Sequence, residues 1–119
     1  MDCVALSRAY FSLIYVLEDL RDTEIIYGPI IDEISNLAKK DPILRDELNN
    51  IVEKLVMWNK LIKKVNLFKD LAQDEDLDSA FAATKQLNSL KESLEKMRLK
   101  IARSIIITLR KIVDMAEAC

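Results

Sequence analysis

Turn-forming residues are almost missing from this chain: one Gly, Gly28, and two Pro, Pro29 and Pro42, in 119 residues. A β-sheet reverses direction every few residues and places Gly, Pro and Asn at those turns. A chain so poor in them must be built from a few long elements, and that means helices. Half of the residues are hydrophobic and 32% are charged, enough apolar surface for one core without metals or disulfides as props. The expected fold is all-α, an antiparallel helical bundle of three long helices plus one short helix. The last helix is the longest, and residues 1–119 form a single domain.

Apolar spacing places the helices. Leu6, Tyr10, Leu13, Leu17 and Leu20 recur at intervals of four and three, which line one side of a first helix beginning near Asp2 or Cys3. Val4, Phe11, Ile14 and Val16 widen that stripe, so burial is expected on more than one flank. This helix ends where Asp22 or Thr23 could cap a new one, or it runs on to Tyr27. Gly28-Pro29 breaks it in either case, because Pro29 lacks a backbone donor. A short helix follows from Pro29 to about Lys39, with Ile30, Ile34 and Leu37 on one face.

Asp41-Pro42 is the clearest boundary. Asp41 can cap the free N–H groups of the next turn, and Pro42 sits at a first helical position, where its missing N–H is not needed. The third helix then runs to about Leu71 on the stripe Leu44, Leu48, Ile51, Leu55, Trp58, Ile62 and Val65. After a polar, acidic turn over 72–79, the fourth starts near Leu77 or Ser79 and extends nearly to Cys119. Its stripe reads Leu87, Leu90, Leu94, Met97, Ile101, Ile105, Leu109 and Ile112. Trp58, Tyr10, Tyr15, Phe11, Phe68 and Phe81 are expected as core fillers.

Missing residue types exclude much chemistry. Without His there is no Ser-His-Asp or Cys-His nucleophile and no imidazole metal ligand. One Gly cannot build a phosphate loop or a dinucleotide fingerprint. Asp74, Asp76 and Asp78 open like a calcium loop, but Ser79 stands where that loop needs Gly and Lys85 where it needs Glu. Those acids are instead expected to cap the last helix, whose N-terminus is the positive end of its dipole. The chain is expected to be no enzyme, with no cofactor, metal or small-molecule ligand.

Lys54–Val65 (KLVMWNKLIKKV) resembles, over about a dozen residues, the core of the HEPN helical domains. The ribonuclease members of that family carry an Arg-Asn pair followed shortly by a His. Here Trp58 stands at the Arg position beside Asn59 and no His follows, so the resemblance assigns neither the family nor its activity.

Two cysteines stand at opposite ends of the chain. An even number of antiparallel helices brings the ends together, so a Cys3–Cys119 bridge is open to the fold. Two free thiols are the reading expected of a cytoplasmic protein. The longest apolar run, Ala9–Leu17, is interrupted by Ser12 and flanked by Arg8 and Glu18. That is too short for a membrane span and unlike a secretory signal. The absence of His and the scarcity of Gln tilt the composition toward a thermophile.

The net charge of −2 excludes a strongly basic nucleic-acid binder. It is divided unevenly: residues 1–59 hold 6 Lys/Arg against 11 Asp/Glu, and residues 60–119 hold 12 against 9. Lys96, Lys100, Arg103 and Arg110 fall within about 80° of one another on the last helix. With Lys60, Lys63 and Lys64 they are candidate phosphate contacts, against the plainer reading of a solvated face.

The last helix also looks too long for its neighbour. A turn between Leu71 and Leu77 pairs residues whose numbers sum to about 148, which sets Pro42 opposite about Ile106 and leaves an overhang of about 18 Å. The overhang carries Ile106, Ile107, Leu109, Ile112, Val113 and Met115, apolar on more than one side. Such surface needs a cover, either the short helix and the start of the first or a second copy. The second copy is the expected reading, and these residues are the expected interaction surface. The function expected is therefore non-catalytic protein–protein interaction. The partner is the chain itself, as a dimer or higher oligomer, or another helical protein in a larger assembly. The alternative is a nucleic-acid-associated accessory protein that uses the basic face.

Overall fold

The computed structural model describes residues 2–119, except for the side chain of Asp22. Four helices follow in order: α1 (Cys3–Asp22), α2 (Pro29–Lys40), α3 (Arg45–Leu71) and α4 (Leu77–Ala116). No strand occurs among the described residues. None of the helices is long and apolar enough to cross a membrane.

Each boundary has a local cause. Asp2 caps α1 by accepting the Ala5 N–H at 3.0 Å. The helix stops at Asp22 because Thr23 is extended, which settles the open end in favour of the shorter reading. Pro29 occupies the first turn of α2. Pro42 does not begin α3: residues 42–44 form a separate turn. Asp41 Oδ1 caps that turn, accepting from the Ile43 and Leu44 N–H groups at 2.9 and 3.4 Å. The α-helical ladder starts only where Leu48 N–H reaches the Leu44 carbonyl. At α4, Asp76 accepts the Asp78 N–H at 3.2 Å and the Ser79 hydroxyl at 2.8 Å, a capping role for the acidic turn.

The helices form a ring. α1 packs on α2 and α4, and α3 packs on α2 and α4, while the diagonal pairs lie apart. Every residue of the α3 stripe from Leu44 to Val65 is buried. The α4 stripe holds at Leu94, Ile101, Ile105 and Ile112, with Leu87, Leu90, Met97 and Leu109 half-buried against the core. Thr108 joins them in the interior, its hydroxyl donating to the Ser104 carbonyl at 2.9 Å.

The outline is a rod of 61 × 20 × 20 Å. Lys111 meets the Glu47 carboxylate and the Ile43 carbonyl, which sets it beside the start of α3. The five residues from there to Ala116, about 8 Å, run past it, a shorter overhang than expected, with α1 packed along it. A disulfide joins Cys3 to Cys119 with Cα atoms 6.0 Å apart. The thiols are therefore bridged rather than free, and the start of α1 is tied to the end of α4. At the opposite end α3 and α4 run beyond the other two helices. The loop between α1 and α2 lands on α3 at Trp58 and Asn59, and α3 continues twelve residues beyond, about 18 Å. That stretch and the first half of α4 form a two-helix arm.

The aromatic expectation fails in part. Trp58 is fully buried and Tyr27 joins the core. Phe11, Tyr15 and Phe81 are more than half exposed.

Candidate interaction surface

The loop over 23–28 sets the join between body and arm. Trp58 Nε1 donates to the Ile25 carbonyl at 2.8 Å. Asn59 clamps Tyr27 from both sides: its Oδ1 accepts the Tyr27 N–H at 2.8 Å, and its Nδ2 donates to the Tyr27 carbonyl at 2.7 Å. Asn59 thus stands in for a backbone partner at Tyr27. Burial pushes the Tyr27 phenol well above its ordinary range, Asp19 and Tyr15 add to the effect, and Arg98 opposes it. The Arg98 guanidinium lies 5.4 Å from the Trp58 ring centre, a cation–π contact.

Above this join, α1 and α4 run antiparallel and leave a furrow between them. Tyr10 of α1 and Ile106, Leu109, Arg110, Val113 and Asp114 of α4 line its middle. Toward the disulfide it continues over Ser7, Phe11 and Ala116. Toward the arm it leaves α1 and passes over Leu99, Ala102, Arg103 and Ile107 of α4 alone. The middle stretch shares Tyr10 and Val113 with the one and Ile106 and Arg110 with the other, so the three make one strip. From Leu99 to Val113 it is about 21 Å long at 1.5 Å per residue.

The expected surface residues divide on this strip. Ile106, Ile107 and Val113 are exposed. Ile112 is core, only 2% exposed, and Leu109 and Met115 pack half-buried against the core. The reason is angular: Ile112 follows Ile105 by seven residues and shares its inward face, whereas Ile107 follows it by two and points the other way.

Lys96, Lys100, Arg103 and Arg110 are all exposed and follow the strip along α4, while Lys60, Lys63 and Lys64 are exposed on α3. Leu99, Ile106 and Ile107 interleave with the α4 cations, so this is a mixed basic and apolar face rather than a purely basic one. Between α3 and α4, the Lys111 hydrogen bond holds the Glu47 carboxyl below its usual range.

A second exposed apolar group sits at the arm tip. Leu71, Leu77 and Phe81 are exposed there, Leu77 at 82%. Asp70, Asp74, Glu75, Asp76 and Asp78 surround them. Sequence reasoning missed the tip, and it missed Val4 and Phe11 on α1. Both lie two residues before a buried Leu, at Leu6 and Leu13, and two residues turn a helix by about 200°. That offset was visible in the sequence. Comparison with protein-family models, with characterised proteins and with solved structures finds no match to this chain.

Proposed function

We propose that the protein is non-catalytic and works by association, through the furrow between α1 and α4. The observation that carries this reading is the continuity of exposed apolar side chains along the furrow, from Phe11 through Val113 and Ile106 to Leu99. Scattered exposed hydrophobics are normal on any protein, but a contiguous strip rimmed by charge is the mark of an interface. A strip about 21 Å long also has the dimensions of a docked helix. The apolar residues set between Arg103 and Arg110 favour a protein partner over phosphate, which needs only the cations.

Sedimentation at micromolar concentration tests the reading. The chain should exceed its 13.7 kDa monomer mass, and Ile107→Glu with Val113→Glu should return it to that mass. Both positions are more than half exposed, so folding should survive and circular dichroism should not change. An association that persists in this double variant would place the interface elsewhere.

A further inference from the structure

We infer that the occupant of the furrow is the arm tip of a second copy, in a two-fold antiparallel dimer where each tip lies on the other's furrow. This rests on the reading of the furrow as an association surface and adds what fills it. The first ground is charge complementarity. The tip gathers five carboxylates between Asp70 and Asp78 near exposed Leu71, Leu77 and Phe81, against two cations, Lys69 and Lys85, the latter over the Phe81 ring, so it is acidic on balance. The furrow presents exposed Leu99, Ile106 and Ile107 with Lys96, Lys100, Arg103 and Arg110 beside them. Each surface is apolar at its centre and charged at its edge, with opposite signs, the pattern that steers and registers an interface.

The second ground is geometric. Tip and furrow lie on one continuous 40-residue helix, and from Ser79 to Ile107 the rise is about 42 Å. They cannot meet within one chain. The same rigid spacing in two copies makes antiparallel alignment self-complementary: when one tip reaches the partner's furrow, the reciprocal contact forms as well. A closed two-fold pair follows instead of an open filament.

Charge reversal tests this directly. One variant carries Lys100→Glu, Arg103→Glu and Arg110→Glu in the furrow. The other carries Asp70→Lys, Glu75→Lys and Asp78→Lys at the tip, which spares Asp76, the cap of α4, and Asp74, which accepts the Asp76 N–H. Three reversals outweigh the charges left on each surface, so each variant alone meets like charge at both contacts and should dimerise at least about tenfold more weakly than the wild type. An equimolar mixture restores opposite charge at both contacts and should recover the dimer, as should a chain carrying all six changes. If the wild type dimerises and Ile107→Glu with Val113→Glu abolishes it, but the tip variant still dimerises or the mixture recovers nothing, the arm is not the occupant. The furrow reading would then stand without it. A monomeric wild type at the highest accessible concentration overturns the arm pairing outright.

Discussion

Trp58 does three things at once, and they explain why the body of this rod ends where it does. Its ring fills the core at the level where the loop between α1 and α2 crosses α3. Its N–H satisfies the Ile25 carbonyl at 2.8 Å, and its face takes the Arg98 guanidinium. Phe in its place keeps most of the apolar contact but leaves that carbonyl without its donor. Trp58→Phe should therefore cost about 1–3 kcal/mol, the range for an orphaned buried polar group, in urea unfolding followed by circular dichroism. A loss below about 0.5 kcal/mol would mean that water replaces the indole donor. Asn59 beside it accounts for the likeness of this segment to a catalytic Arg-Asn pair. Its amide oxygen and nitrogen each bond the Tyr27 backbone, which gives it a structural duty.

Element by element, the sequence was most legible where one stripe faced one partner. The α3 stripe from Leu44 to Val65 is buried to the last residue because α2 and α4 cover the same narrow face. α1 was less legible. Val4, Phe11 and Tyr15 are apolar by type yet exposed, and treating the first two as a wider core stripe and Tyr15 as a core filler let residue type override angle. The α4 surface was half legible for the same reason: Ile107 and Val113 are outside, Ile112 is inside. The arm was not legible at all, since the register between α3 and α4 is set by contacts such as Lys111 with Glu47 that no spacing rule contains. Its residue types do foretell its behaviour. Beyond Asn59 only Ile62, Val65, Ala83 and Leu94 are buried on the two facing helices, and the loop between α1 and α2 adds the exposed Glu24–Lys69 ion pair at 3.4 Å, which contributes little. Hydrogen exchange of the Lys100→Glu, Arg103→Glu, Arg110→Glu chain, designed to prevent the proposed docking, should show amides of 64–90 opening before those of 48–58 and 101–112. Uniform protection along α3 and α4 would show that the two-helix hairpin is as stable as the body.

At the scale of the whole rod, the weakly held end is the arm and the fastened end is the disulfide. α1 is the helix that most needs fastening, because it packs less extensively on its two neighbours than any other helix does and leaves its outer face of Val4, Phe11 and Tyr15 unburied. It also supplies one wall of the furrow, so any swing of α1 away from α4 would open the strip at Tyr10 and Val113. The bond from Cys3 to Cys119 spans 116 residues of sequence, close to the whole chain, and a loop that long removes much conformational freedom from the unfolded state. The chain-entropy account gives about 4–5 kcal/mol for a loop of this order, and measured effects usually fall short of it. Reduction under native conditions should therefore lower stability by about 2–4 kcal/mol, with a fall in Tm on the order of 10 °C. The scans must be run at one protein concentration, since association itself raises Tm by mass action. Cys3→Ser should reproduce the reduced Tm without reductant and become insensitive to it. A Tm that moves by less than about one degree on full reduction, far below the shift for 1 kcal/mol, would show that helix packing alone holds α1 in place.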